Sequence, residues 1–417
     1  MSGTASRRSA RSAAAYRCSE CGWQAVKWVG RCGECQAWGS VTEVGAVTAR
    51  TTAASAVDRP AIPIGEVDVR RAVARPTGVP EFDRVLGGGI VPGAVVLVAG
   101  EPGIGKSTLL LDVAARAARS GDHGDRKVLY VSGEESSAQV RTRAERIEAM
   151  ARSLYLASET DLATVLGQID ALQPELVIVD SVQTISSAEV EGSAGNVSQV
   201  REVAASLIQV AKARGIAVLL VGHVTKDGSI AGPRVLEHLV DVVVQFEGDR
   251  HSRLRLVRAV KNRFGPTDEV GCFDLSDVGI VGLADPSALF LSGRTAAVAG
   301  TCVTVTLEGR RPLVTEVQAL VTASTLSTPR RATSGLDTAR VNMILAVLDK
   351  RAAAPIGGSD AYLSTVGGVR LTEPAADLAI TLALAGAITD RPLPPGTIAF
   401  GDVGLAGEIR PATGAPR

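Results

Sequence analysis

The 417-residue sequence predicts an α/β protein whose main body is a largely parallel sheet with helices on both faces. Three observations carry that expectation. Short apolar runs of strand length alternate with amphipathic stretches from Pro76 to about Asp285. A glycine-rich GEPGIGKST stretch (Gly100–Thr108) joins one such run to a helix. Two CxxC pairs stand ahead of both. A chain of this length exceeds one compact core. We expect a disordered tail over 1–15, a four-cysteine zinc-finger clip over 16–42, a linker over 43–75, the main α/β domain over 76–290 and an α+β domain over 291–417.

Composition narrows the class. Hydrophobic residues make up 46%, charged residues 21% and aromatics 3%, with a formal net charge of zero. Zero charge argues against a wholly basic nucleic-acid coat protein and leaves local basic patches open. The longest apolar runs, such as Ile216–Val221, have strand length, far below the ~18 residues of a membrane helix, so no membrane partner is expected. The opening MSGTASRRSARSAAA has no apolar core of a secretory signal. Six cysteines, four in metal spacing, fit a reducing, cytoplasmic setting.

In the clip, Cys18, Cys21, Cys32 and Cys35 offer four thiolates from two knuckles, a closed tetrahedral set for structural Zn²⁺ with no open position for catalysis. All three tryptophans (Trp23, Trp28, Trp38) lie here, with Lys27 and Arg31. They either stack on bases or a partner protein, or cover the metal of a mini-domain; the residues alone leave both open.

In the main domain the pattern predicts strands at Ala94–Ala99, Val128–Ser132, Leu176–Asp180, Ile216–Gly222, Asp241–Phe246 and Leu254–Val260, the last two forming an antiparallel edge. Helices are expected at Ser107–Arg119, Ser136–Ala151 and Val197–Arg214. GEPGIGKS fits GxxxxGK[ST] in its proper context, after a strand and opening a helix. Gly100, Glu101, Pro102, Gly103, Ile104, Gly105, Lys106, Ser107 and Thr108 are therefore the nucleotide-binding candidates. Glycines let backbone N–H groups turn onto phosphate oxygens, Lys106 reaches the β- and γ-phosphates of ATP, and the Ser107 hydroxyl ligates Mg²⁺. Asp180 closes the apolar strand LVIVD and is expected to serve Mg²⁺ through water. Glu134, in YVSGEES, is the candidate to orient the attacking water, with Glu135 starting the next helix. His223 follows a strand directly and is a candidate nucleotide sensor. KNRFG (Lys261–Gly265) places Lys261 and Arg263 on one face of an extended chain; from these residues alone a solvated turn is the default, and the alternative is two cations suited to a γ-phosphate, in a ring that of a neighbouring subunit. Two polar loops, 186–202 and 222–238, offer Arg201, Lys226 and Arg234 to phosphates. Cys272 and Cys302 lack metal spacing and are expected in the core.

Together VLGGGIVPG, GEPGIGKST, YVSGEES, VIVDSVQT, GHVTKDGSIAGPRVLEHLVD, KNRFG and the leading clip resemble, over nearly the whole chain, the RadA (Sms) family of bacterial recombination proteins. These are relatives of RecA and of DnaB-type replicative helicases. The resemblance implies a RecA-like P-loop ATPase core and a hexameric ring acting on single-stranded and branched DNA, driving branch migration. It implies that Lys106 is essential and that Glu134 is the catalytic glutamate. Lys261 and Arg263 would couple hydrolysis to DNA movement across a subunit interface. Implied partners are a RecA-type recombinase or a replicative helicase. The C-terminal stretch with VGGVRLTEPAADLAI resembles the proteolytic domain of Lon and is expected to be truncated. Where Lon carries its nucleophilic serine this chain reads Glu373-Pro374-Ala375-Ala376-Asp377, without the hydroxyl that an acyl-enzyme requires. The competing readings are an ATP-dependent Lon-like protease or chaperone, and a RecA-type regulatory ATPase that binds only protein.

Overall fold

The computed structural model describes residues 16–43, 61–120, 126–223, 235–248, 253–276, 278–287, 297–354, 356–366 and 369–412. The expected tail, much of the linker, and both Lys226 and Arg234 lie outside them. The chain divides into two compact units, Met1–Asp68 and Val69–Arg417.

The first unit holds three short antiparallel strands, β1 (Tyr16–Cys18), β2 (Gln24–Ala25) and β3 (Val41–Glu43), in the order β2-β1-β3. Its fully buried apolar residues are Cys18, Cys32 and Val41, with Tyr16, Trp23 and Val29 packed against them. That core is too small to hold a fold without a metal.

The second unit is built on a nine-stranded sheet. Its strands are β4 (Val95–Gly100), β5 (Val128–Ser132), β6 (Leu154–Ser158), β7 (Leu176–Asp180), β8 (Ala217–His223), β9 (Val242–Glu247), β10 (Leu254–Asn262), β11 (Val270–Ser276) and β12 (Gly279–Gly282), in the order β12-β11-β10-β9-β4-β8-β7-β5-β6. The strands from β9 to β6 run parallel; β10, β11 and β12 continue the sheet antiparallel. The expected two-strand edge is thus corrected: β10 is interior, and β11 and β12 extend beyond it. The sheet also contains β6 and the helix α4 (Leu162–Leu172), which the sequence pattern did not reveal.

Alternation along these buried strands decides what each face carries. Val96 and Val98, Val128 and Tyr130, Leu176 and Ile178, Leu219 and Val221, and Val244 and Phe246 share one core with helix α1 (Pro80–Leu86) and helix α2 (Lys106–Arg119). Leu97, Leu129 and Val131, Val177 and Val179, and Leu220 share the other with α4 and helix α5 (Val197–Arg214). Period two therefore delivers Gly100, Asp180 and His223, the last residues of three strands, to the α2 side. Helix α3 (Ser137–Arg146) ends five residues before the expected Ala151. Its N-cap is Ser136, with a reciprocal Ser136–Gln139 capping box.

The same unit carries a four-stranded sheet, β13 (Thr301–Glu308), β14 (Arg311–Ala323), β15 (Arg331–Ser334) and β16 (Ser359–Thr365), ordered β13-β14-β16-β15. The helices Thr338–Arg351 and Asp377–Thr389 bury its inner face, and Cys272 and Cys302 lie in that core as expected. Arg311 of β14 is buried against Glu81 of α1 and donates to the Leu283 carbonyl at 2.7 Å, joining this sheet to the larger one.

Candidate nucleotide site and metal clip

The phosphate loop forms because its sequence forbids side chains where backbone must turn. A Cβ on Gly100 would lie 2.8 Å from the Phe246 carbonyl oxygen, so glycine alone fits against β9. Gly103 and Gly105 adopt φ of +76° and +110°, the left-handed region open to glycine. Gly105 is the N-cap of α2 and makes no side-chain cap, and the first turn carries no acid. The helix therefore presents unsatisfied N–H groups and its positive dipole end to an anion.

Lys106 is 3% exposed, and its Nζ donates to the carbonyls of Gly100 and Glu101, each at 2.8 Å. Burial pulls its pKa down to about 8, against the upward pull of Asp180 and Glu134. Both carboxylates therefore lie near enough for their charge to act on the lysine. Asp180 is buried; its Oδ2 accepts from the Tyr130 hydroxyl at 2.6 Å, while Oδ1 is buried without a partner among the described residues. Glu134 stands half exposed in the loop after β5. Its Oε1 accepts from Ser181 Oγ at 2.7 Å and lies 3.0 Å from His223 Nε2. Register explains the histidine: His223 on β8 is the direct neighbour of Gly100 on β4. Glu135 pairs with Arg143 and does not face the lysine.

The structure brings Lys106, Glu134, Asp180 and His223 together, and it separates Lys261 and Arg263 from them. β10 runs antiparallel to β9, so Lys261 stands opposite Val243, while the phosphate loop lies level with Phe246. The two cations sit toward the other end of the sheet, about 10 Å along β9 at ~3.3 Å per residue. Lys261 Nζ donates to the Glu237 and Val240 carbonyls at 2.8 Å each, and Arg263 pairs with Asp241 at 3.0 Å. Arg201 is exposed on α5. Sequence reasoning missed Tyr130, Ser181 and Arg255. Buried Arg255 of β10 donates from Nε to the Ile104 carbonyl within the phosphate loop at 3.2 Å, bracing it from 151 residues away. A tyrosine inside the aliphatic strand VLYVS was the one readable signal among the three.

In the clip all four Sγ atoms lie within 4.8 Å of one another. Cys18–Cys35 and Cys21–Cys32 are 3.7 and 3.5 Å apart. Four thiolates at a Zn–S distance of ~2.3 Å in tetrahedral array stand about 3.8 Å apart, so the set fits zinc without rearrangement. Cys18 and Cys32 are buried, Cys21 and Cys35 exposed. The tryptophans divide. Trp23 packs on Gly33, where a Cβ would come within 2.7 Å of its ring. Trp28 and Trp38 are 63% and 76% exposed, with the Arg31 guanidinium over the Trp38 ring.

At the position compared with Lon, Glu373–Asp377 forms a short 3₁₀ turn leading into the last helix. Buried Asp377 is held by Arg340, which also pairs with Asp402 at 2.9 Å. Ala375 lies within that turn, and the ion pairs gather at Asp377, two residues further on.

Comparison with known proteins agrees with this geometry. A family described as an AAA domain matches residues 61–229, and one described as a rubredoxin metal binding domain matches residues 16–43. The DNA repair protein RadA of Mycobacterium tuberculosis is 58% identical over 409 residues, 96% of this chain and 84% of that protein. Its counterpart in Mycolicibacterium smegmatis is 56% identical over 412 residues, covering 96% and 87%. That of Streptococcus pyogenes serotype M1 is 46% identical over 408 residues, covering 97% and 89%. A solved KaiC-like protein from Pyrococcus horikoshii aligns with 51% of this chain and 99% of its own, at 19% identity and a TM-score of 0.41. Fold and site define a RecA-like P-loop ATPase that carries a four-cysteine zinc ribbon. At these identities over nearly the full length, the chain belongs to the RadA family of DNA repair proteins.

Proposed function

We propose that this chain is a DNA-stimulated motor that hydrolyses ATP with Mg²⁺ on single-stranded and branched DNA, driving branch migration in the bacterial cytoplasm. The observation that carries the reading is the convergence of Lys106, Asp180, Glu134 and His223 on one uncapped helix N-terminus. Gly100 to Thr108 would hold the phosphates. Mg²⁺, bound by the Ser107 hydroxyl and through water by Asp180, would neutralise charge on the transferred group. Glu134 orients the attacking water, and His223, at 3.0 Å from it, ties that carboxylate to the end of β8, where it senses the γ-phosphate.

We further read the protein as a homo-hexamer, and the same geometry supports an assembly of several copies. Lys261 and Arg263 stand at the wrong end of the sheet for their own chain's phosphate, so a neighbouring copy's nucleotide is the phosphate they would serve. Exposed Arg201 is a candidate for DNA phosphates. Exposed Trp28 and Trp38 give the clip a surface for bases or for a partner recombinase or helicase. We assign residues 76–290 to the ATPase domain and 291–417 to a Lon-like domain that serves assembly. Ala375, without a hydroxyl where a nucleophilic serine would be needed, speaks against peptide cleavage there, and casein degradation would support that rival reading instead.

The test is steady-state ATP hydrolysis with and without single-stranded DNA, beside Lys106→Ala. The expected result is stimulation by DNA and a loss of roughly 10²–10³-fold in the variant, the scale for removing a transition-state charge partner. Basal hydrolysis that DNA leaves unchanged would favour a regulatory ATPase.

A further inference from the structure

We propose that Tyr130 is a positioning residue: its hydroxyl fixes the Asp180 carboxylate so that Oδ1 is the oxygen offered to a Mg²⁺-bound water. This inference rests on the reading of the site as a Mg²⁺–nucleotide site. Tyr130 lies on β5 and Asp180 on the adjacent parallel strand β7, where Tyr130 is level with Ile178 and Ser132 with Asp180. Residues two apart share a face, so the phenol reaches diagonally along the sheet to the strand end. The contact is short, 2.6 Å from the hydroxyl to Oδ2, and both groups are buried.

A tyrosine hydroxyl has one proton to donate, and here it is committed to Oδ2. Oδ1 is left buried with no partner among the described residues, an arrangement that is costly unless a ligand completes it. The last torsion of an aspartate is broad and roughly two-fold. Without the tyrosine's hold, either oxygen, at a range of angles, would meet the metal's water. Tyr130 shares its buried core with the aliphatic Val128, Leu176 and Ile178, and a phenylalanine ring would fill the same volume.

The experiment measures affinity for a fluorescent ADP analogue in Mg²⁺-free, chelator-free buffer and across a Mg²⁺ titration, for the zinc-loaded full-length wild-type protein and Tyr130→Phe, with melting temperature recorded for each. The expected result is unchanged affinity without Mg²⁺ and a Mg²⁺-dependent strengthening reduced roughly tenfold, the low end of what losing a partner behind a metal ligand costs. Asp180→Asn should show the same loss, and adding Tyr130→Phe to it should change little further. Val128→Ala, from the same buried face, should lower the melting temperature without moving the Mg²⁺ titration. If Tyr130→Phe fails to fold, 4-methylphenylalanine and 4-aminophenylalanine at position 130 carry the test. The first fills the hydroxyl's space without a donor and should lose the Mg²⁺ effect; the second keeps a donor and should restore it. A Tyr130→Phe titration identical to wild type, with only the melting temperature lowered, overturns the proposal. Wild-type protein that gains no affinity from Mg²⁺ overturns instead the reading of the site on which it rests.

Discussion

The phosphate loop and the zinc clip both rest on tight glycine turns, yet they are held in opposite ways. Behind the loop stands an apolar core that runs through α1, α2 and eight strands, from Val79 to Ile280. Behind the clip stand Cys18, Cys32 and Val41. The first turn would survive the loss of its ligand, because packing holds Gly100 against β9 whether or not phosphate is bound. The second has too little buried surface to survive the loss of its metal. The loop is preorganised by burial; the clip is organised by coordination.

The largest expected effect breaks that comparison at the clip. Structural zinc contributes on the order of 10 kcal/mol of apparent binding free energy in small zinc domains. Chelation, or Cys32→Ser, should unfold residues 16–43 and leave the second unit's melting transition in place. The readouts separate cleanly because all three tryptophans belong to the clip. Tryptophan fluorescence should collapse toward that of free indole while far-ultraviolet circular dichroism barely moves. Thiol counting sharpens the result. The four clip cysteines should react after chelation. Cys272 and Cys302, buried and with pKa values pushed up to about 11 by that burial, should react only in denaturant. Loss of both signals together would mean that the second unit also depends on the metal.

The next effect runs the other way. Leu110 of α2 is fully buried in the core behind the phosphate loop. Leu110→Ala should cost about 2–5 kcal/mol, the range for emptying such a site. Circular dichroism would report a lowered melting temperature for the second unit, with the tryptophan signal of the zinc-loaded clip unmoved at temperatures below that transition. A melting temperature unchanged by this substitution would show that the loop is not held by the core as described.

How much of this was legible in the sequence differs between the same two regions. The clip could be read nearly whole, because metal spacing is local: its four ligands fall within eighteen residues. The loop could be read from its glycines, and Asp180 and His223 from their places at strand ends, because period two and strand termini are also local signals. What escaped was tertiary. Tyr130 meets Asp180 across 50 residues of sequence, and Arg255 meets Ile104 across 151. No local pattern announces either pairing. The strand β6 escaped for a different reason: it lies at the edge of the sheet, and most of LYLAS is only partly buried, so its apolar run is short and broken. Lys261 and Arg263 were legible as a pair of cations, and the antiparallel pairing of β10 with β9, also expected from the sequence, is what carries them away from their own chain's phosphate loop.

The smallest effect concerns that remote end, where the core ends in charge. Asp241 is buried at the start of β9 and accepts from the Val95 N–H at 3.0 Å and from Lys212 at 2.6 Å, with Arg263 at 3.0 Å. Burial alone would raise its pKa; the Lys212 and Val95 hydrogen bonds and the two cationic charges outweigh it, and the carboxyl lies below the ordinary value of 3.8. A folded-state pKa below the unfolded one gives stability that is full above pH ~4 and is lost as pH falls through the folded value. Asp241→Asn keeps an acceptor for Val95 but removes the charge that Lys212 and Arg263 face. Near neutral pH it should therefore lower stability by about 1–3 kcal/mol, the scale of hydrogen bonds to a charged group. Lys212 and Arg263 are each about half exposed, so solvent screening places the effect toward the lower end. Denaturant melts of the two proteins should converge below pH 4, as wild-type Asp241 takes up its proton. A gap that persists unchanged into that acid range would assign the loss to packing. It would then remove the charge from the account of how Arg263 is kept in place.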